Sequence, residues 1–394
     1  MKADVYKKGT LAAHLTRQAG GTVFEYTQQY LQSNGAPVAT SLPKSAEPVI
    51  LASGAVPPFF AGLLPEGRRL SVLRRAIKAS ADDELALLLA VGRDAIGDVQ
   101  VVRHSEPLLS PEPLLELPEG DISNVSLREV LADSDYDRVA LPGVQDKLSG
   151  KVISMPGRQA GRSLIVKFDP PEYPHVTANE AAFLALARQC GLQVPQFQLA
   201  HDRDGLPVLL ITRFDRHMAG ESTRSLAMED ASQVMGIWPA DKYNVSYAEA
   251  VDALTRQTAA GVIARLELFR QVTFAWLTGN GDLHAKNLSI IENTETGEWQ
   301  VSPAYDLPST VPYGDLTLAL DLGGSREGIS RRKLLDFAQE ISVPERAAGK
   351  ALDQLLSRTS TALSDLEALQ LPYDTQTMTR WQRELDYRRR QLSR

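Results

Sequence analysis

The stretch Gly279-Asn-Gly-Asp-Leu-His-Ala-Lys-Asn-Leu-Ser289 gathers side chains that can take a proton, carry charge and hold a cation. Asp282 and Asn287 stand five residues apart, the D-x-x-x-x-N spacing of phosphoryl-transfer loops. In such loops the carboxylate accepts the proton of an attacking hydroxyl, and the amide oxygen a turn later holds a divalent cation against the phosphates. His284 and Lys286 lie between the two and are taken with Asp282 as the catalytic set. A further acid, Asp306, follows in Ala304-Tyr-Asp-Leu307 and suits a second metal ligand, with Tyr305 beside it. Simpler readings exist: Asn280-Gly281-Asp282 as a plain turn, and Asp306 as a helix cap. Three such groups on one helix–loop–hairpin–loop path favour the chemical reading.

Phosphoryl transfer also needs a cation on the nucleotide phosphates. Lys167 sits in the apolar run Leu164-Ile-Val-Lys-Phe168, where the alternative is an edge-strand lysine facing water. A helix bearing Glu180 follows, which would allow a Lys–Glu ion pair. Glu180 has its own alternative as the fourth residue of the capping box Thr177-Ala-Asn-Glu180. Upstream, the Gly-containing stretch Ala140–Gly150 can aim backbone N–H groups at phosphate oxygens, although it is neither G-x-G-x-x-G nor a Walker A sequence and a hairpin turn is the simpler reading. Ile211-Thr-Arg-Phe-Asp-Arg216 closes the strand-rich part and would be the hinge, with backbone groups to pair with adenine.

These residues need elements to hold them. Val262, Leu266, Phe269, Thr273 and Trp276 fall at 3–4 spacing and predict a buried helix ending at Gly279. A hairpin is expected beyond the loop, Leu288–Ile291 and Trp299–Ser302 about the turn Glu295-Thr-Gly297. Strands are expected at 22–26, 99–102, 151–154, 163–168, 197–200 and 208–214, with short helices at 68–78 and at 82–91, the latter started by Ser80 or Asp82. Residues 106–122 hold four prolines and read as a linker or surface loop. After about residue 225 the chain reads mainly helical, including 331–341 and one long helix over 344–366.

The chain has 394 residues, 43% hydrophobic and 23% charged, which excludes global disorder and gives ample length for two to three domains. The apolar run Leu85–Val91 is far short of a membrane span, and Met1–Lys8 has no apolar signal core. One cysteine, Cys190, forms neither an internal disulfide nor a thiolate metal site, so a cytoplasmic location is expected. Lys plus Arg total 42 against 49 Asp plus Glu, a formal net charge of −7 that argues against coating nucleic acid by bulk charge. The runs Arg68-Arg69, Arg74-Arg75 and Arg388–Arg390 are read as solvated helix faces.

Taken together, Pro142–Lys147, the lysine strand, Thr212-Arg-Phe-Asp-Arg216, Met228-Glu-Asp230, Asn280–Asn287 and Tyr305-Asp306 resemble the HipA-type serine/threonine kinase toxins of bacterial type II toxin–antitoxin modules. The resemblance implies an α+β, protein-kinase-like bilobal fold with a β-rich N-terminal lobe, an extra N-terminal strand-rich subdomain and an all-helical C-terminal lobe. The boundaries would be 1–105, 106–214 and 215–394. It implies Asp282 as base, Asn287 and Asp306 as Mg²⁺ ligands, Lys167 on the ATP phosphates, and residues Gly143, Val144, Gln145, Asp146 and Lys147 over the nucleotide. Glu180, Thr212, Arg213, Phe214 and Tyr305 complete the expected nucleotide site. It further implies a small helix-turn-helix antitoxin that contacts operator DNA, and an aminoacyl-tRNA synthetase as protein substrate. The family's loop serine, three residues before the loop glycine, is replaced here by Ala140. Ser149, beyond Lys147, is either a substitute autophosphorylation site or, on the simpler reading, a strand-start serine facing solvent. Two other readings stay open: a small-molecule or lipid kinase, and a non-catalytic ATP-binding partner of a DNA-binding antitoxin.

Overall fold

A computed structural model describes all residues except 53–54, 79, 81–82, 110–114, 118–121, 134–152, 171–172, 221 and 394. Ala140, the Gly143–Lys147 loop, Ser149 and the first residues of the expected 151–154 strand lie outside the described residues.

Strands β1 (Lys2–Lys7), β2 (Thr10–Gln18), β3 (Gly21–Tyr26), β4 (Val49–Leu51) and β5 (Val99–Arg103) form an antiparallel sheet in the order β4-β3-β2-β1-β5. Alternation along them puts Ala3, Val5, Ala13, Leu15, Phe24, Val99 and Val101 on one covered face. Phe59, Phe60, Leu85 and Leu88 close that core from helices α2 (Pro58–Gly62) and α4 (Glu84–Val91). Helices α1 (Gln28–Gln32) and α3 (Gly67–Ala76) complete the unit. The start of α4 is capped by Asp83, whose side chain accepts from Ala86 N, and not by Ser80 or Asp82. Gly21, at φ +144°, lies so close to β4 that a Cβ would stand 1.8 Å from the Leu51 carbonyl oxygen.

A second sheet runs β6-β7-β8-β10-β9, from β6 (Leu115–Leu117), β7 (Ile153–Gln159), β8 (Arg162–Phe168), β9 (Phe197–His201) and β10 (Pro207–Thr212). It is antiparallel except for β6 on β7. The 106–122 segment is therefore not all linker: Leu115 and Leu117 are buried about an exposed Glu116, and three residues are too few to show as a period. Helix α5 (Leu127–Asp133) flanks this sheet, and α6 (Val176–Gln189) packs on it. Strand β10 serves two cores, with Val208 and Leu210 on one face and Leu209 and Ile211 turned to α6 and the helices beyond. The expected capping box at Thr177 is absent. Asp169 instead accepts from His175 N at 2.7 Å and Thr177 N at 2.8 Å, so α6 begins earlier and Glu180 lies a full turn inside it.

The remainder is mainly helical: α7 (Ala231–Met235), α8 (Tyr247–Thr255), α9 (Gly261–Thr278), α10 (Arg331–Glu340), α11 (Glu345–Arg358), α12 (Ser360–Ser364) and α13 (Thr375–Ser393). Strands β11 (Arg216–Ala219) and β12 (Ser222–Ser225) pair as a ribbon, and β13 (Met228–Asp230) joins the expected hairpin β14 (Ser289–Glu292) and β15 (Trp299–Val301) as a third strand. Helix α9 is buried from Leu268 to Thr278 except at Arg270, but Val262 is 59% exposed, so the apolar stripe begins later than its spacing suggested. The single helix expected over 344–366 divides at Thr359, whose hydroxyl donates back to Leu355 O. Arg388 is no solvated residue. It is 1% exposed, lies 4.1 Å from the Trp276 ring centroid, and donates to Trp276 O and Leu316 O.

Candidate active site

Lys167 lies on the face of β8 that looks towards α6, opposite the face that buries Leu164, Val166 and Phe168. Since β8 runs between β7 and β10, it is an interior strand, and the edge-strand reading falls. Its Nζ donates to Glu180 Oε1 at 2.8 Å and Oε2 at 3.0 Å, and also pairs with Asp306. Lys167 and Glu180 side chains are 11% and 2% exposed, Asp306 28%. Burial works against the ammonium charge, yet Asp306 and Glu180 together hold its pKa above the usual lysine range. Burial pushes the Glu180 carboxyl up against the pull of Lys167, and the Asp306 charge adds to the rise.

The Asp282 loop leaves α9 through Gly279, which is left-handed at φ +73°; a Cβ there would stand 2.5 Å from Val311 Cγ2. Within the loop Asn280 Oδ1 accepts from Asp282 N at 2.8 Å, while its Nδ2 donates to Asp306 O at 3.1 Å. One side chain thus joins the two acids through their backbones. Asp282 is 1% exposed and accepts from the Tyr243 hydroxyl at 3.1 Å. Asn287 Nδ2 donates to Asp282 O at 2.8 Å, which leaves its amide oxygen as the side chain's acceptor. Asp306 has φ +51°, a left-handed conformation that costs a non-glycine residue on the order of 1–3 kcal/mol and survives only where the surroundings enforce it. Besides Asn280, that enforcement comes from Asn179 of α6, which exchanges two hydrogen bonds with the Ser309 backbone. Tyr305 donates to Lys286 O at 2.7 Å and touches the Ser289 hydroxyl, fastening the loop to β14.

The other expected residues divide into two groups. Phe214 packs against Tyr305 with ring centroids 5.7 Å apart, and Thr212 ends β10 with its N–H on Gln196 O. Arg213 is drawn elsewhere: its guanidinium binds Asp215, Asp94 and the Ala95 carbonyl, and Arg216 binds the same three, clamping the N-terminal unit to the second sheet. The Arg213 side chain is thus an inter-unit tie. Lys286 reaches into the N-terminal unit, donating to Gly62 O at 3.1 Å and pairing with Glu66 at 2.6 Å; Lys242 pairs with the same carboxylate. Against burial, these two lysines pull the Glu66 carboxyl down to about 2. His284 packs edge-on to Tyr243, and burial and then the Lys242 charge hold its pKa well below the usual value, so the ring is neutral. Sequence reasoning passed over Glu66, Lys242, Tyr243, Asn280 and Asn179 as site residues. Only Asn280 carried a local signal, through its place in the loop.

As a donor set for Mg²⁺, Asn287 offers an amide oxygen and Asp306 a carboxylate. Both are hard oxygens, and Lys167 takes only Oδ1 of the latter. The residues present fit that ion.

Two family models match: the HipA N-terminal domain over residues 3–102, and the HipA-like C-terminal domain over residues 139–363, more than half of the chain. The protein belongs to the HipA family. The protein Y4dM of Sinorhizobium fredii is 32% identical over 375 residues, covering 87% of this chain and 86% of that one. The serine/threonine-protein kinase toxin HipA of Shewanella oneidensis is 26% identical over 385 residues, covering 89% and 85%. In fold the chain is similar to the solved Shewanella oneidensis complex of HipA, HipB and operator DNA, with a TM-score of 0.79 at 21% identity, over 99% of this chain and 97% of that one. Among the described residues no helix is long and apolar enough to cross a membrane.

Proposed function

We propose that this protein is an ATP-dependent serine/threonine protein kinase and the toxin of a toxin–antitoxin pair. The observation that carries this reading is Lys167, held on an interior strand between Glu180 of α6 and Asp306. The nucleotide lies in a cleft between a smaller β-rich lobe and a larger helical lobe, with the N-terminal unit as an extension of the smaller one. Lys167 contacts the α- and β-phosphates and Glu180 fixes its position. Thr212 and Phe214 border the adenine, and the phosphate contact expected of Gly143–Lys147 rests on the family match alone. Bound through Asn287 and Asp306, Mg²⁺ would neutralise phosphate charge.

Asp282 accepts the proton of the substrate hydroxyl. The hydroxyl oxygen forms its bond to the γ-phosphorus as the bond from that phosphorus to the β–γ bridging oxygen breaks, and ADP leaves. Tyr243 and Asn280 hold Asp282 for that transfer from its side-chain and backbone sides, so little reorganisation accompanies the reaction. The partner is a small helix-turn-helix antitoxin, through which the protein meets operator DNA. The substrate is a translation component in the cytoplasm, such as an aminoacyl-tRNA synthetase.

The test is incubation of the purified chain with Mg²⁺ and γ-labelled ATP, with lysate protein in one arm and lysate metabolites in the other, beside expression without the antitoxin. Label in protein serine or threonine and growth arrest are expected. Label confined to metabolites would overturn the protein-kinase assignment, and an active enzyme without growth arrest would overturn the toxin assignment.

A further inference from the structure

The N-terminal sheet holds a cluster of an acid and two imidazoles that has no part in phosphoryl transfer. In β1 Asp4 pairs directly across from His14 of β2. On the other side Asp4 pairs with Val102 of β5, and two residues further on His104 donates its backbone N–H to Lys2 O at 3.1 Å. A two-residue step along a neighbouring strand returns a side chain to the same face, so all three side chains converge. Asp4 Oδ1 stands 2.8 Å from His14 Nδ1 and 2.8 Å from His104 Nδ1, and Asp4 Oδ2 accepts from Ser105 N at 3.0 Å. The two rings meet edge to face with centroids 5.5 Å apart. Asp4 is 4% exposed, a position in a sheet where a carboxylate is costly unless something compensates its charge.

We propose that Asp4, His14 and His104 bind a divalent transition-metal ion of the zinc class, which fastens the end of β5 to β1 and β2. Two imidazole nitrogens and one carboxylate oxygen are a borderline donor set, suited to Zn²⁺ and its first-row neighbours and poorly suited to Mg²⁺ or Ca²⁺. One ligand atom from each residue lies within 4.8 Å of the others. A tetrahedral ion with bonds of about 2.1 Å would space its donors about 3.4 Å apart, so each nitrogen–oxygen pair opens by roughly 0.6 Å. His104 can supply this movement, since its side chain is 46% exposed and lies just past the end of edge strand β5. The ion replaces the two Nδ1–Oδ1 hydrogen bonds, sitting off the line between each nitrogen and the shared oxygen, and each neutral ring then carries its proton on Nε2. The Ser105 N–H keeps its bond to Oδ2 and orients the carboxylate from outside the ligand shell. Water completes the coordination on the exposed side.

The test uses the full chain, stripped with EDTA, dialysed against Zn²⁺ or Co²⁺ and desalted. One equivalent of zinc is expected in the wild type, with visible Co²⁺ bands of a tetrahedral nitrogen–oxygen site and a raised melting temperature on zinc addition. His104→Ala, at an exposed position, and His14→Gln should each lower zinc affinity at least tenfold and remove the thermal shift, with circular dichroism unchanged. Less than stoichiometric zinc in the wild type overturns the proposal, and so does equal binding by wild type and both variants. Zinc lost only in Asp306→Ala would place the ion elsewhere and overturn it as well.

Discussion

Two three-charge clusters border the Asp282 loop, and their compositions are inverted. At one, a cation, Lys167, sits between two acids, Glu180 and Asp306. At the other, an acid, Glu66, sits between two cations, Lys242 and Lys286. The first leaves a negative charge over, whereas the positive surplus of the second faces the buried Asp230 carboxylate, which lies within reach of Lys286 and Glu66. A largely buried odd charge is costly unless a counter-charge reaches it, so the first cluster suits an arriving cation, whereas Asp230 already answers the second. In the proposed reaction that cation is the metal ion. The clusters also differ in reach. The first joins β8, α6 and the segment after β15, whereas the second ties the loop to the N-terminal unit. The neutral His284 ring lies near the second cluster, where two ammonium groups oppose a third positive charge.

Asp282 stands between the clusters, and its loss should have the largest effect. Asp282→Asn should lower transfer by ~10²–10⁴-fold with ATP affinity retained, because a general base acts on the hydroxyl. More than about a tenth of wild-type activity in single-turnover assays would remove Asp282 from that role. Asp306→Ala should instead cancel the negative surplus of the first cluster and weaken Mg²⁺-ATP binding itself. Unchanged affinity by calorimetry would make Asp306 a structural residue and break the contrast.

The two lysines sharpen the comparison. Lys167→Met leaves Glu180 and Asp306 facing each other without a cation, and transfer should fall by at least ~10²-fold. Lys286→Met leaves Glu66 with Lys242, and the fall should be nearer tenfold. Equal losses in parallel kcat and KM measurements would mean that the clusters do not differ in kind.

What was legible in the sequence follows from the range of the interactions. Asp282, Asn287 and Asp306 could be read because their types and spacing sit on one short path, and Lys167 because an ammonium in an apolar run needs a reason. The alternation of β3 and β8–β10 and the stripe of α9 are local patterns as well, whereas β1 and β2 were not among the expected strands. Strands β6 and β13 have three residues each, too few for a period to show. Asp169 took over the cap of α6 by folding back from the end of β8, and this freed Glu180 for Lys167. Glu66 meets Lys286 across 220 residues of sequence, so only the tertiary fold could reveal it. Arg388 was misread for the same reason: its charge suggested solvent, while two carbonyls and an indole from elsewhere in the chain receive it.

The smallest effect is expected at Glu66 and tests whether its charge joins the N-terminal unit to the loop. Its folded pKa, about 2, lies below the ordinary 4.5. A depressed carboxylate contributes stability that is fully present above its unfolded pKa and disappears as pH falls through the folded one. Glu66→Gln keeps the shape and an acceptor oxygen while removing the charge. With allowance for a side chain 31% exposed, the loss at pH 7 should be on the order of 2 kcal/mol. Urea unfolding of both proteins from pH 7 down to pH 3 should show the gap constant to about pH 5 and shrinking below it, as wild-type Glu66 gives up its advantage. High salt should narrow the gap at pH 7 only partly, since the pair is mostly shielded from solvent. A gap that stays the same down to pH 3 would assign the effect to packing, and no gap at pH 7 would show that Lys242 and Lys286 hold their places without this acid.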